Sequence, residues 1–423
     1  MDRSTFIIDS LKIAAGVAVG NIAGNALRAM PVNAGVISGA ASNKVLVLIQ
    51  LIGGNDGLSS LVPVQSYDNL MQHRANITAP LNKLIPLNDV LMWHPALQPF
   101  AELMQQGKLC IVQNVGYPNQ NRSHFRSMDI WNSASPANEQ WSSGWVGRFL
   151  DAFHSTYPVG YPNNLFTDPL AISIGNVVSD TCQGKFTNFS YALQQLSNLP
   201  DLPLQPIHEQ ANNALEEGLR FLNDTSRLTN AYTKTVLQAA KKGRNLAAYP
   251  KDNELAAQLK TVARLISGGL KTSVYVLTLG GFDTHAYQTE RNEPLKGMHA
   301  QLLNTLATAT YAFQNDLKAL YIEDKVLGMT YSEFGRQIKS NSANGTDHGS
   351  AAPLFVFGKN LNQTLVGTTP VIPREIDNQQ GVEMEFDFRD VYATVLKNQM
   401  GANDAEIKNV LQRNCQTLQF LSA

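Results

Sequence analysis

The chain has 423 residues, of which 43% are hydrophobic and only 16% are charged, and its formal net charge is −1. An average soluble domain is about 25% charged, so this protein is poor in charge. Its 33 basic and 34 acidic residues create no basic field for nucleic acid, and the apolar content excludes a disordered chain. Beyond the N-terminal region, no apolar run reaches the roughly 18 residues of a membrane span. We therefore expect a large globular protein that does not bind nucleic acid.

The N-terminal residues 1–43 are predicted to be an export signal or, alternatively, a helix that packs on the domain. Arg3 precedes a stretch rich in Ala, Gly, Val and Ile, and residues 3–7 are similar to a twin-arginine signal in which Ser4 replaces the second arginine. Small residues around Ala34 match the pattern of a cleavage site. The sequence predicts a periplasmic or secreted bacterial protein without a membrane span in its mature form.

Apolar strands alternate with helices along residues 44–423. The strands are predicted at residues 44–52, 109–115, 171–174, 273–279, 326–331 and 353–357. The helices are predicted at residues 95–106, 123–131, 293–320 and 388–400, with a helical cap insert at about 204–268. Nearly continuous apolar strands are typical of parallel sheets. The alternation therefore predicts an α/β domain with a doubly wound, mostly parallel sheet flanked by helices.

Acids and histidines concentrate at the ends of these strands. Six of them lie in turns that follow or precede a strand: Asp56, Asp283, His285, Glu333, Asp347 and His348. Each turn alone is also explained as a β-turn or a helix cap, but ligands of open α/β sheets bind at the carboxyl ends of the strands. Converging carboxylates and imidazoles need a cation, and these ligands suit Zn²⁺, Mn²⁺, Mg²⁺ or Ca²⁺. We therefore predict a site for one or two divalent ions.

Two roles for Ser123 remain open on the sequence. It precedes a predicted helix, so it is either an N-cap or an oxygen nucleophile activated by a metal. In the second role, the helix N-terminus and Arg122 or Arg126 would hold an anionic group. Arg122 and Arg336 are the candidates for a bidentate clamp on the oxygens of that anion.

The order of the motifs resembles a known bacterial family, the domain of unknown function 1501. The motifs are GGNDG (53–57), HPAL (94–97), RSHF (122–125), GWVGR (144–148), GGFDTH (280–285), SEFGR (332–336) and GTDHG (345–349). The resemblance runs from residue 44 to residue 401, and the family looks like a branch of the alkaline phosphatase and sulfatase superfamily. It implies an alkaline phosphatase-like fold and a metal-dependent hydrolase acting on small phosphate or sulfate esters.

The resemblance also implies roles for individual residues. Asp56 resembles the metal-binding Asp after the first strand, and Ser123 lies where the superfamily has its nucleophile. Asp283 and His285 resemble a ligand pair, although the superfamily spacing is Asp-x-x-x-His and this chain has Asp-x-His.

The assignment of the last ligands has two versions. Asp347 and His348 resemble the Asp-His pair of the superfamily. Alternatively, Glu333 and Phe334 occupy the place of that pair, and His348 supplies the final ligand. In the second version Phe334 has replaced a histidine, so one ion binds weakly or is lost.

A function of another class is also consistent with the sequence. The chain would then be an exported binding or surface-assembly protein that retains a degenerate metal site. The sequence indicates neither the particular substrate nor the oligomeric state.

Overall fold

A computed structural model describes residues 43–196, 202–204 and 214–422. The predicted export signal, apart from its last residue, and much of the first part of the helical insert lie outside these ranges. Among the residues that are described, no helix is both long enough and apolar enough to cross a membrane.

The strands match the six predicted ones and add several short ones. They are β1 (Val45–Leu51), β2 (Leu61–Pro63), β3 (Ile85–Pro86), β4 (Leu91–Trp93), β5 (Leu109–Gly116), β6 (Ala171–Ile174), β7 (Ser190–Leu193), β8 (Val274–Leu279), β9 (Val326–Tyr331), β10 (Arg336–Ser340), β11 (Thr346–His348), β12 (Ala352–Gly358), β13 (Leu365–Val366) and β14 (Phe386–Asp387). Thr346–His348, expected in a loop, therefore forms a strand, because it pairs with β10 in a small antiparallel ribbon.

The helices also follow the predicted order. They are α1 (Gly57–Ser60), α2 (Tyr67–Arg74), α3 (Gln98–Gln105), α4 (His124–Ser133), α5 (Trp145–Phe153), α6 (Ala214–Lys242), α7 (Glu254–Ser267), α8 (Met298–Ala319), α9 (Phe388–Asn398) and α10 (Asp404–Leu411). The long helix predicted from residue 293 begins at Met298, because Gly297 before it has a φ of +115°. Such a φ is incompatible with a right-handed helix.

Nine of the described strands form one central sheet in the order β13-β5-β12-β9-β1-β8-β6-β7, with β14 also paired to β5. All neighbours are parallel except β12, which runs antiparallel to both β5 and β9. The prediction of a mostly parallel sheet is therefore confirmed. Because β12 is reversed, its first residue Ala352 pairs with Val115 near the carboxyl end of β5. The chain that enters β12 thus reaches the edge where the parallel strands end.

Helices cover both faces of this sheet. In β1, Val45, Val47 and Ile49 point into one core, together with α3, α6, α7 and α8. The alternate residues Leu46 and Leu48 point into the other core, with α4, α5, α9 and α10. Burial on both faces explains why the strands are apolar almost without interruption.

The helical insert contains α6 and α7, joined by residues 243–253. Leu255, Leu259 and Val262 of α7 are buried in the same core as the helices α3 and α8. Because of this packing, α7 belongs to the layer of helices that covers one face of the central sheet. A cap over the site, formed by residues 204–268, remains a prediction.

Candidate metal centre

Four side chains meet at the carboxyl edge of the central sheet. His124 begins α4 after β5, Asp283 and His285 follow β8, and His348 ends β11 just before the reversed strand β12. One ligand atom from each of the four lies within 4.8 Å of the others. The topology explains this meeting, because three of the residues follow parallel strands and the fourth precedes an antiparallel one.

Three of these side chains converge on a single oxygen of the fourth, Asp283. Oδ1 of Asp283 lies 3.4 Å from Nε2 of His124, 3.2 Å from Nε2 of His285 and 3.3 Å from Nε2 of His348. The Nε2 atoms of His285 and His348 are themselves 2.8 Å apart. All three imidazoles therefore direct the same ring nitrogen at one point.

The other ring nitrogens of His285 and His348 face oxygen acceptors. Nδ1 of His348 lies 2.7 Å from the carbonyl oxygen of Arg122, which only accepts hydrogen bonds. Nδ1 of His285 lies 2.8 Å from Oδ1 of Asp347. Each Nδ1 therefore faces a hydrogen-bond acceptor, and Nε2 is the ring atom that is directed at the cluster.

His124 has the same arrangement. Its Nδ1 lies 2.8 Å from Oε1 of Glu333, a buried carboxylate oxygen that also accepts from the backbone N–H of Gly53 at 2.7 Å. Its Nε2 is buried and makes no hydrogen bond within the protein. A buried polar atom without a partner is unusual in a native protein. The lack of a partner is explained if Nε2 of His124 binds a ligand.

This donor set fits a divalent cation. Three imidazole lone pairs and a carboxylate oxygen repel one another unless a positive charge lies among them. Metal-binding histidines usually donate their second ring N–H to a carboxylate or a backbone carbonyl, as His124, His285 and His348 do here. The cluster is also open to solvent, since the exposed fraction of its side chains runs from 21% for His348 to 46% for Asp283.

Arg336 holds Asp283 in place. Its Nη2 donates to Oδ1 of Asp283 at 2.6 Å. The same buried guanidinium donates to the backbone carbonyls of Gly53, Gly54, Phe282 and Thr346. Burial raises the pKa of Asp283, but the hydrogen bond and the charge of Arg336 outweigh it, so the net shift is downward. Asp283 is therefore ionised. The Arg336 side chain fixes its position through this hydrogen bond.

The pKa of His348 is also shifted in the direction that favours metal binding. Burial lowers this pKa, and the hydrogen bond to the Arg122 carbonyl offsets only part of the effect. The imidazole is thus neutral at physiological pH, which is the protonation state that binds metals.

Asp56 lies outside this cluster, buried in an ion pair. Its Oδ1 accepts from Nη1 of Arg74 at 3.0 Å, and its Oδ2 accepts from Ser59 and Gln288. Burial raises the pKa of Asp56, but the charge of Arg74 and these hydrogen bonds hold it well below its usual range. Both oxygens and the negative charge are therefore satisfied by protein groups.

Glu333 and Asp347 contact imidazoles of the cluster and are not among the four converging donors. Ser123 is the N-cap residue of α4, but its side chain makes no capping hydrogen bond and is exposed beside His124. Nη2 of Arg122 donates to the carbonyl of Gln379 at 2.6 Å. Of the six predicted metal ligands, the structure thus brings three together in the cluster: Asp283, His285 and His348.

His124 was not among the residues predicted from the sequence. It lies in the RSHF motif, in which the neighbouring Ser123 was the predicted functional residue. The available signal was its position, since it begins a helix shortly after the buried parallel strand β5. The rule that located the other clusters also applies there.

The sequence of this chain matches a known protein family. The family model described as "Protein of unknown function (DUF1501)" matches residues 43–419. The chain belongs to this family. No curated protein matches the DUF1501 chain.

Several solved structures are similar to this DUF1501 protein at low identity. One is a protein in the alkaline phosphatase superfamily from Vibrio parahaemolyticus, with 10% identity, a TM-score of 0.39, and coverage of 88% of this chain and 70% of the other. Another is the lipoteichoic acid synthase LtaP from Listeria monocytogenes, with 10% identity, a TM-score of 0.36, and coverage of 96% and 82%. A third is a phosphonate monoester hydrolase from Silicibacter pomeroyi, with 9% identity, a TM-score of 0.39, and coverage of 89% and 76%.

Proposed function

We propose that this DUF1501 protein binds one divalent cation through His124, Asp283, His285 and His348 and hydrolyses phosphate or sulfate esters. The observation that carries the proposal is the convergence of three imidazole Nε2 atoms on a carboxylate oxygen. Three histidine ligands are common in catalytic zinc sites. A nitrogen-rich set favours Zn²⁺ or another transition metal over Mg²⁺ and Ca²⁺.

A single ion is favoured over two. Asp56, the predicted ligand nearest to β1, is neutralised by the buried guanidinium of Arg74. The aromatic ring of Phe334 lies 4.6 Å from the imidazole of His348, between ring centroids, and supplies no ligand atom. Within the part of the chain that the structure describes, one group of converging donors is then left.

The ester chemistry combines the cation with residues at the start of α4. When bound, the cation would supply a Lewis acid that polarises the ester and acidifies a nearby hydroxyl. Ser123, exposed next to His124, presents the hydroxyl that would attack the phosphorus or sulfur atom and displace the alcohol of the ester, and water would then release the phosphate or sulfate from Ser123. The N-terminus of α4 and the charge of Arg122 would attract the anionic ester. Arg336 is assigned to orienting Asp283, because its guanidinium is already bound within the protein. The choice of phosphate and sulfate esters rests on the resemblance of the motifs.

The experiment is an assay of aryl phosphate and aryl sulfate hydrolysis by purified protein loaded with Zn²⁺, Mn²⁺, Mg²⁺ or Ca²⁺. We expect turnover that a chelator abolishes, and its loss in Ser123→Ala and His124→Ala. The matched control is His73→Ala, because His73 is half-buried and its ring contacts the carbonyl of Pro373 at 3.1 Å, outside the cluster. Turnover in the presence of chelator, or full activity in His124→Ala, would contradict the proposal.

A second candidate is a non-catalytic binding or surface-assembly protein that uses the same ion for stability. Four protein donors are enough to close a tetrahedral shell, as in structural zinc sites, and this count favours the alternative. It predicts one equivalent of bound metal, a higher unfolding temperature with metal, and no hydrolysis of a broad panel of esters. Hydrolysis that requires Ser123 would exclude it.

Both candidates include export to the periplasm or the medium. A reporter fused to residues 1–43 tests this, with Arg3→Ala as the variant that should block translocation. Cytoplasmic retention of the unmodified fusion would contradict export.

A further inference from the structure

Two exposed aromatic residues are close neighbours, along the chain, of ligands of the candidate metal centre. Phe125 follows His124 in the first turn of α4 and is 91% exposed. Tyr287 lies two residues after His285 and is 76% exposed. Since His124 and His285 contribute nitrogens to the same cluster, both aromatic residues lie within two positions of a candidate ligand along the chain.

The backbone of Tyr287 is held in an unfavourable conformation. Its φ is +54°, a left-handed value that residues with a Cβ rarely adopt. Its N–H donates to the carbonyl of Ala343 at 3.0 Å, and its carbonyl accepts from the N–H of Met298 at 3.4 Å. The surrounding chain therefore fixes this conformation, and local strain of this kind clusters at functional sites.

Single exposed apolar residues are ordinary on protein surfaces, so the position of these two matters. Among the described residues, the aromatic side chains with large exposed fractions are Phe125, Phe186, Phe221, Tyr287 and Tyr321. Two of these five lie within two positions of a candidate metal ligand. Neither ring contributes to the buried cores, so folding gives no reason for an aromatic residue at either place.

We propose that Phe125 and Tyr287 form an aromatic rim that binds the organic group of the ester and so determines specificity. The ligand class is an anionic ester whose organic group contains a ring with a flat apolar face, which stacks on one or both side chains. This inference rests on the proposed function, since the cation has to hold the anionic end of the ligand. Phe125 and Tyr287 are specificity residues in this account and take no part in bond breaking.

The test measures binding separately from turnover. Isothermal titration of the zinc-loaded protein gives Kd values for phenylphosphonate and methylphosphonate, neither of which contains an ester bond. An aromatic pair contributes about 1 kcal/mol, or about fivefold in Kd. We expect the wild type to prefer phenylphosphonate at least fivefold, and Phe125→Ala or Tyr287→Ala to reduce this preference by about fivefold. Phe125→Trp should preserve it.

The chain offers matched controls for both variants. Phe186→Ala removes another exposed phenylalanine, and Tyr321→Ala removes an exposed tyrosine whose φ is +59°. Both controls should leave the preference unchanged. If both phosphonates bind but Phe125→Ala and Tyr287→Ala behave like the controls, the rim is refuted and the metal site stands. If zinc-loaded protein binds neither phosphonate, the proposed function fails and the rim with it.

Discussion

The substitution Glu333→Gln tests how the protein prepares His124 for a metal. Glu333 is buried, and its Oε1 accepts from both Gly53 and Nδ1 of His124. A glutamine oxygen in the same position still accepts both hydrogen bonds, so the change removes mainly the negative charge. Without that charge the imidazole becomes a weaker base and a weaker ligand.

The magnitude follows from this partial loss. Removal of a group that orients a metal-binding histidine lowers metal affinity by about 10- to 100-fold. Because glutamine retains the hydrogen bonds, we expect the low end, about tenfold in Kd or about 1.4 kcal/mol. Competition with a chromophoric chelator measures this Kd, and circular dichroism verifies that the variant is folded.

The control is Glu323→Gln. Glu323 is also partly buried and paired, with Lys108 at 2.5 Å and Lys359 at 3.5 Å, but it precedes β9 and so lies at the opposite edge of the sheet. The substitution Glu323→Gln should leave the Kd for the metal unchanged. A folded Glu333→Gln protein whose Kd is within twofold of wild type would refute the reasoning.

Three further predictions concern groups around the centre. Asp56→Asn leaves the buried Arg74 unpaired, so the free energy of unfolding in urea should fall by about 3–5 kcal/mol while one equivalent of metal still binds; loss of the metal by elemental analysis would contradict this. Burial lowers the pKa of His299 from 6.5 to about 4, so the folded state resists protonation. Stability is then fully present above pH 6.5 and is lost as the pH falls toward 4, by about 3 kcal/mol. The buried His94 and His154 have pKa values lowered to about 4 in the same way, so wild type and His299→Gln should both lose stability over this range, wild type by about 3 kcal/mol more; equal losses would count against this. Arg336→Lys lacks the planar fork that binds Asp283 and the surrounding carbonyls, so both the unfolding temperature and the metal affinity should fall, and unchanged affinity would argue against a positioning role.

The sequence predicted the sheet well because its strands are buried on both faces. Val45–Leu51 and Val326–Tyr331 contain almost no polar residue, so local composition identifies them. The direction of β12 was not predictable in the same way, because a buried strand has the same composition whether it runs parallel or antiparallel. That direction is what brings His348 to the carboxyl edges of the parallel strands.

The candidate site was predictable only in part. The rule that ligands gather at the carboxyl ends of strands located Asp283 and His285, whereas His348 was predicted from a glycine-flanked turn that precedes a strand. The pairing of Asp56 with Arg74 depends on how α2 packs, and its sequence separation of 18 residues gives no periodic signal. His124 was not predictable by its residue type alone, because the serine beside it suits the same chemistry, although Nε2 of His124 is buried without a hydrogen-bond partner in the structure.

X-ray absorption spectroscopy of the zinc-loaded protein tests the central claim most directly. The account predicts one zinc per chain with three imidazole nitrogens and one carboxylate oxygen at about 2.0–2.2 Å. His124→Ala should lower the imidazole count to two, and His73→Ala should leave it at three. Zinc that binds below one equivalent, or a shell with fewer than three imidazoles in the wild type, would contradict the proposed centre.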